Sequence, residues 1–598
     1  MKARAALALL LLIAGVAIAF QIRAAQQPAA PSSLTAYVPQ DALLTIESPD
    51  FASLLSRWTN SAESKAWLIS DNYSVFQNSR LFGRLSDAQD SFAKAAGVPE
   101  GVDLLNQIAG KESVFAWYDI GKLEFLYITR MPAEQADRSQ IFQSRNTFES
   151  RHAGNADFYI RTSGADYGTV AFARVRGASG DLILLATRED LIANALKLIA
   201  ADSPANSIRE EPWFHDASAA LPTEKTAPAL HMVLNLDRIA GDPHFRSYWI
   251  QRNISWTRQF RAAASDLYLE SARFREERVL LPKSAEAEPA GVDLAPLAAL
   301  APASAGVFRV VATQDPSVAV TAIQEKLLGS YAGPEPDPEN APDPNLQTQE
   351  AGSAGDLETR IDALPAVSSS ASTDGLARLF QAANIDSVLT LSSAQTPAEQ
   401  GGLWVPIHSA VVVRGANATN PEALATALQQ ALRGSLTAAS IGINFQPTAV
   451  AGAAVYGLSG PRPLFFAIRS TRADGNLILL SDDPALLAEL LRNLAGGPTD
   501  RTATPATSIA VFNHSSQRAP YLRLTALIDG TNHQARNSRD IVAAGPNGTA
   551  GVAATPAFFS RNLGSVSDSF ASLQSERVVE RIADSNLRQT VTYIWGTP

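Results

Sequence analysis

Two stretches of the chain carry the same succession of apolar runs and polar breaks. GDLILLATREDLIANALKLIA begins at Gly180, and GNLILLSDDPALLAELLRNLAG begins at Gly475. In each, a continuous apolar run of strand length precedes a polar turn, and apolar positions then recur at helical spacing. Leu191, Ala195 and Leu198 mark the stripe of the first helix, and Leu486, Leu490 and Leu494 mark the second. Asp482 and Asp483 stand before Pro484, which suits a helix cap followed by proline at the first helical position.

The likeness extends upstream. DFYIRTSG ends at Gly164 and AVYGLSG at Gly460, and each leads into a further strand, TVAFARVRG or LFFAIRS, before the LILL run. Turn-forming residues between these runs predict a three-stranded antiparallel meander in each copy. KLEFLYITR, ending at Arg130, matches HSAVVVRG around Arg414, and helical stretches are expected after them at 133–151 and 421–434. KESVFAWYDI matches IDSVLTLSS. The first copy opens with YVPQDALLTIESPDFASLLSRW and the second with LAPASAGVFRVVATQDPSVAVTAIQEKLL. Downstream, HMVLNL parallels SIAVFNH and DPHFR parallels APYLR. A shared order of six or more elements predicts an α+β fold in two tandem duplicated halves, 34–283 and 291–598, joined through 284–290. Each half is expected to be a mainly antiparallel sheet covered by helices.

The N-terminus has a different pattern. Lys2 and Arg4 precede an apolar run from Ala5 to Phe20, and Ala17-Ile18-Ala19 fits a small-x-small cleavage rule. Residues 1–23 therefore read as a signal peptide cut near Ala19 or as an anchor formed by residues 5–20, with 24–33 as a flexible tether. Either reading exports the remaining chain to the periplasm or cell envelope. Prolines at 334, 336, 338, 342 and 344, interleaved with carboxylates, predict a disordered acidic insertion over about 329–375. Calcium is the functional alternative there, but the spacing is not that of an EF-hand. A second insertion is expected over about 530–556.

Composition narrows the chemistry. Lys and Arg number 49 and Asp and Glu 59, a net charge of −10, which speaks against a nucleic-acid partner. The absence of cysteine removes disulfides, thiolate metal sites and cysteine nucleophiles. Gly110-Lys111 is followed by Glu112, and Leu105 stands where a phosphate loop needs glycine. Gly177-Ala178-Ser179-Gly180 and Gly457-Leu458-Ser459-Gly460 lie in expected hairpin turns rather than nucleophile elbows. The histidines are His152, His215, His231, His244, His408, His514 and His533, none spaced with another as metal ligands on a helix. His231 and His408 open predicted strands. No catalytic residue, metal ligand or cofactor follows from these patterns.

One segment suggests a binding surface. In DPHFRSYWIQRNISWTRQFRA, residues 242–262, Asp242 and Pro243 resemble a helix start. Phe245, Trp249, Trp256 and Phe260 fall on one helical face, while Arg246, Arg252, Arg258 and Arg261 supply positive charge. The plain expectation is a helix that packs its aromatics on the sheet. The sharper one is contact with anionic lipid headgroups or an acidic glycan.

Val38, Pro39, Asp41 and Ala42, followed by the strand Leu43 to Ile46, resemble the opening of bacterial exported proteins of unknown function. That family implies an extracytoplasmic bacterial protein and contributes no catalytic residues. The expected function is accordingly a non-catalytic exported envelope protein, a scaffold or binding module whose partner is an envelope protein or glycan. The alternatives are an exported hydrolase with an unrecognised site between the halves and a lipid- or glycan-contacting protein acting through 242–262. Membrane contact is expected only through the N-terminal segment or weakly through that helix.

Overall fold

The computed structural model describes residues 34–78, 80–96, 104–119, 121–162, 169–203, 205–242, 256–270, 273–284, 292–328, 374–394, 407–417, 420–435, 445–458, 463–471, 475–496, 505–528, 567–568 and 570–596. The signal or anchor, the tether, the linker from 285, nearly all of the acidic insertion and the 530–556 insertion lie outside these residues. The described chain divides into two compact units. Unit 1 takes residues within Met1–Glu288, Leu524–Glu576 and Ile582–Pro598, and unit 2 takes those within Pro289–Arg523 and Arg577–Arg581.

Unit 1 begins with β1 (Leu44–Ser48), β2 (Ser113–Asp119), β3 (Glu124–Met131), β4 (Glu149–Ala153) and β5 (Ala156–Thr162). It continues with β6 (Thr169–Val175), β7 (Asp181–Ala186), β8 (Leu230–Asn235), β9 (Phe260–Leu269) and β10 (Arg273–Pro282). Unit 2 contains β11 (Val292–Asp293), β12 (Val307–Ala312), β13 (Ile385–Ala394), β14 (Ile407–Gly415) and β15 (Gln446–Val450). It goes on to β16 (Ala453–Leu458), β17 (Leu464–Thr471), β18 (Gly475–Ser481), β19 (Pro505–Ala506) and β20 (Ser508–Phe512). A last hairpin follows, β21 (Leu573–Ala583) and β22 (Asn586–Trp595).

Every sheet pairing named here is antiparallel. In unit 1 the strands lie in the order β4-β5-β6-β7-β3-β2-β1-β8-β9-β10-β22. In unit 2 the order is β15-β16-β17-β18-β14-β13-β12-β20. The expected meanders are β5-β6-β7 and β16-β17-β18. The fold is α+β, with helices on both faces of antiparallel sheet.

That arrangement explains why the LILL runs are apolar at every position. Leu182 and Leu184 of β7 pack beneath the helix Glu189–Ala201, while Ile183 and Leu185 enter a second core on the other face. Leu477 and Leu479 of β18 pack with the helix Pro484–Gly496, and Ile478 and Leu480 meet the helices Pro316–Ile323, Asp374–Ala383 and Pro421–Ser435. A strand covered on both faces cannot alternate polar and apolar positions. Asp483 caps the second helix as its sequence suggests, accepting from the Ala485 and Leu486 amides at 3.1 Å each.

An aromatic triad recurs. Phe172 of β6 meets Phe148 edge-on at 4.9 Å and stacks on Tyr159 of β5 at 5.3 Å. Phe466 of β17 meets Phe445 edge-on at 5.4 Å and stacks on Tyr456 of β16 at 5.0 Å.

Three expectations are corrected. The helix over 133–151 is two short helices, Ala133–Arg138 and Gln140–Gln143, broken at Ser139, and Glu149–Arg151 belong to β4. Pairing with β5, which seats Phe148 against Phe172, outweighs helical propensity there. Residues 374 and 375 open the helix Asp374–Ala383 rather than closing the acidic insertion. The helix of 242–262 does not run to 262: Asp242 is the C-cap of Leu236–Gly241, and β9 starts at Phe260.

Candidate functional site

Of the surface expected from 242–262, Phe245, Arg246, Trp249 and Arg252 lie outside the described residues. Trp256 is 44% exposed and meets Phe260 edge-on at 5.0 Å. Phe260 is buried with Leu236 and Leu280. Arg258 sits in the turn before β9, and Arg261, on β9, pairs with Asp216 at 2.9 Å. Strand pairing thus takes Phe260 off the helical face it was expected to share with Trp256, and puts Arg261 on β9.

A polar row elsewhere in unit 1 escaped the sequence reading. It is found by counting across the sheet from Leu184. Leu184 faces Ile128 on β3, Ile128 faces Val114 on β2, and Val114 faces Glu47 on β1. The same row continues through His231 on β8, Asp266 on β9, Glu277 on β10 and Thr590 on β22. Directly opposed residues on neighbouring strands point to the same face. Leu184, Ile128 and Val114 are therefore core, and the rest of the row is polar.

From His231 to Thr590 the row is closely bonded. His231 Nδ1 lies 2.7 Å from Asp266 Oδ1, and the Tyr268 hydroxyl donates to Asp266 Oδ2 at 3.3 Å. Arg275 donates to Glu277 at 2.6 Å and to Glu224 at 3.1 Å, and its guanidinium lies 4.4 Å over the Tyr268 ring. The Thr590 hydroxyl donates to the other Glu277 oxygen at 2.7 Å. Burial, reinforced by Asp266, pushes the Tyr268 hydroxyl well above the usual tyrosine range and keeps it a donor.

The opposite face of β9, β10 and β22 carries a second network. Glu276 accepts two bonds from Arg278 at 2.7 Å each and one from the Ser265 hydroxyl at 2.5 Å, and Arg278 reaches the Tyr593 hydroxyl at 3.4 Å. Burial opposes the Arg278 charge, but the Glu276 bonds outweigh it and hold the guanidinium more firmly protonated.

Counting across unit 2 from Leu479 gives a contrast. Leu479 faces Val412, Val412 faces Leu389, Leu389 faces Val310 and Val310 faces Ile509. Where unit 1 places Glu47 and His231, unit 2 places two buried aliphatics. Other polar contacts recur in both units. Arg130, opposite Leu182, binds Glu112 at 3.0 Å, and Arg414, opposite Leu477, binds Asp386 at 2.7 Å. The Phe125 amide donates to Thr187 Oγ1 at 2.9 Å, and the Ser409 amide to Asp482 Oδ1 at 2.9 Å.

The remaining described histidines are tied locally. His152 pairs with Asp157 at 2.9 Å, His215 lies 3.5 Å from Asp216, and His514 packs on Phe512. Among the described residues, no group of three or more histidines and carboxylates is placed to hold a metal ion.

Asp482 yields a pH prediction. Its Oδ1 lies 3.6 Å from His408 Nδ1, yet burial is the dominant influence and raises its carboxyl pKa above the ordinary value. Folding therefore favours the protonated form. The stability linked to that proton is present below the unfolded carboxyl pKa, near 4, and is lost as pH rises through the folded value. Asp482→Asn keeps an acceptor for the Ser409 amide and removes this dependence. Urea unfolding is expected to show the variant gaining on the wild type between about pH 4 and pH 7; a wild type that gains on the variant would refute the assignment.

No family model matches the chain, and no curated protein matches it. It is similar to solved structures described as crystal forms I, IV and III of TP0453, at 11%, 12% and 11% identity and TM-scores of 0.21, 0.22 and 0.22. Each match covers 43% of this chain and 82%, 81% and 82% of the respective solved chain. Among the described residues, no helix is long and apolar enough to cross a membrane.

Proposed function

We propose that this chain is a non-catalytic exported cell-envelope protein, a scaffold or binding module built from two tandem copies of one α+β unit. The observation that carries the proposal is the way the polar row is bonded. Asp266 is held by His231 and Tyr268, and Glu277 by Arg275 and Thr590. These groups spend their bonding capacity on one another, as a structural network does, instead of converging on a space where a substrate would react.

Duplication is supported by the common strand order, the two aromatic triads and the two arginine–carboxylate pairs at matching positions. Unrelated segments have no reason to place the same residue types at the same positions of the same strand order. Export is supported by the basic and apolar N-terminal segment. Fractionation of bacteria expressing the full chain tests export: protease added to spheroplasts is expected to digest it, and full protection would overturn export.

One observation favours a second reading, an exported hydrolase. His231 hydrogen-bonded to Asp266 is half of a nucleophile-activating relay. Purified protein is expected to turn over no ester, glycoside or peptide substrate in a manner that depends on His231. Turnover abolished by His231→Ala would replace the first reading with the second.

A further inference from the structure

A chain holding two copies of one sheet has a folding problem. Tandem repeats misassemble by exchanging equivalent strands. The hazard is acute here because Leu182-Ile183-Leu184-Leu185 of β7 and Leu477-Ile478-Leu479-Leu480 of β18 are identical, and the glycine preceding each strand motif is identical too. Apolar pattern therefore gives β7 no reason to choose β3 over β14. The central strands β1 and β12 face the same choice.

Some of the differences between the units fall on buried polar residues. Asp181 opens β7, 4% exposed, and is gripped by Arg174 of β6 at 2.5 Å. Its counterpart Asn476 is the second residue of β18, 1% exposed, and bonds Ser470 of β17 at 2.7 Å and the Asn417 carbonyl at 3.1 Å. Placed in unit 2, β7 would bring a carboxylate to the position where Asn476 bonds Ser470 and the Asn417 carbonyl. Placed in unit 1, β18 would take Asp181 from Arg174 and leave Asp137 as its carboxylate partner. The same logic applies to the row. Moved between β13 and β20, β1 would bury Glu47 between Leu389 and Ile509. Moved between β2 and β8, β12 would place Val310 beside His231 and take Glu47 away.

We propose that these buried polar residues are a pairing code, and that Asp181–Arg174 with the Glu47–His231–Asp266 row direct each strand to its own unit. The inference rests on the duplication reading above. Its physical basis is that an uncompensated buried charge penalises the wrong partner, while the right partner gains little over an apolar pair. Unit 2 illustrates the second half of that statement, since Val310 and Ile509 build the same part of the sheet without charge.

The test uses the absence of native cysteines. Ile128→Cys with Leu184→Cys reports the native β3–β7 pair, and Ile128→Cys with Leu479→Cys reports exchange, because β18 would then stand beside β3. Both pairs are placed in the full chain, which is unfolded in urea, refolded and oxidised. In the otherwise unchanged chain only the native pair is expected to close. Asp181→Asn makes residues 180–185 identical to 475–480 and is expected to let the exchange pair close as well. Glu47→Val with His231→Ile and Asp266→Val is expected to do the same by erasing the row. Refolding of both variants to the native cross-link alone would overturn the code and leave duplication untouched. An Asp181→Asn chain that closes neither pair would instead count against the duplication, since a strand motif matching that of unit 2 would have failed in unit 1. The row variant then decides the code: exchange supports it, and a native cross-link alone overturns it.

Discussion

Phe172→Ala is expected to destabilise unit 1 by about 3–5 kcal/mol, the range for emptying a fully buried aromatic site. Phe172 is inaccessible to solvent and touches three rings: Phe142 at 5.2 Å, Phe148 at 4.9 Å and Tyr159 at 5.3 Å. Two contacts are edge-on and one is stacked, so truncation removes favourable ring geometry as well as buried area. The partners come from three places, the helix Gln140–Gln143, the residue before β4, and β5. They cannot close the gap together without moving the β4–β5 hairpin. Phe466→Ala in unit 2 is the matched change, with Phe445 and Tyr456 as neighbours. Urea unfolding of the two variants should show losses of the same order. A loss under about 1 kcal/mol for Phe172→Ala would mean that the site collapses freely and the triad is not a fixed part of the core.

The strand, turn and helix of the two LILL segments were legible in the sequence. Each LILL segment combines a buried strand, a turn and an amphipathic helix, and all three signals are local. Capping by Asp483 was legible for the same reason, since a cap and its helix are neighbours in the chain. The break after Gln143 was harder to see. Residues 140–151 have helix-compatible spacing, and only the partnership of β4 with β5 sends Glu149–Ala153 into extended backbone. Phe260 presents the same difficulty. Its helical spacing from Trp256 is real in the sequence, but pairing with β10 decides the conformation.

The membership of the polar row was not legible. Glu47, His231, Asp266, Glu277 and Thr590 come from five strands separated by up to hundreds of positions, and nothing local links them. One signal was present: RFREERVLLP places Arg273, Arg275, Glu276, Glu277 and Arg278 within a single ten-residue strand. Consecutive charges in a strand must face both ways, so at least one face has to find partners for ions. That requirement points to a network on β10, although not to its members. The two-unit comparison gives the row its meaning, because unit 2 has Val310 and Ile509 where unit 1 has Glu47 and His231. Identity at those positions is therefore free to serve pairing specificity, which the sheet itself does not require.

The second large effect is expected at Gly475, and it separates two costs that glycine substitutions usually mix. Gly475 begins β18 with φ +71°, a backbone conformation that disfavours any side chain. A Cβ there would also overlap the carbonyl oxygen of Gly415 at the end of β14. Gly180 is its counterpart, with φ +117° and a Cβ position 3.0 Å from the Met131 carbonyl oxygen. Gly452, in the loop between β15 and β16, has nearly the same φ of +74°, but a Cβ on it meets nothing within 4 Å. Gly452→Ala therefore measures the backbone term alone, about 1 kcal/mol. Gly475→Ala adds the overlap with a backbone oxygen that belongs to the β14–β18 ladder. That oxygen moves only if the end of the ladder opens, near the Arg414–Asp386 pair and the Asn476 bonds. The expected loss is about 3 kcal/mol or more, seen as a lower urea midpoint and faster amide exchange at Gly415 and Asn476. Equal losses for the two alanine variants would show that the close approach of Gly475 to β14 is not a constraint on the sheet, and that φ alone requires glycine there.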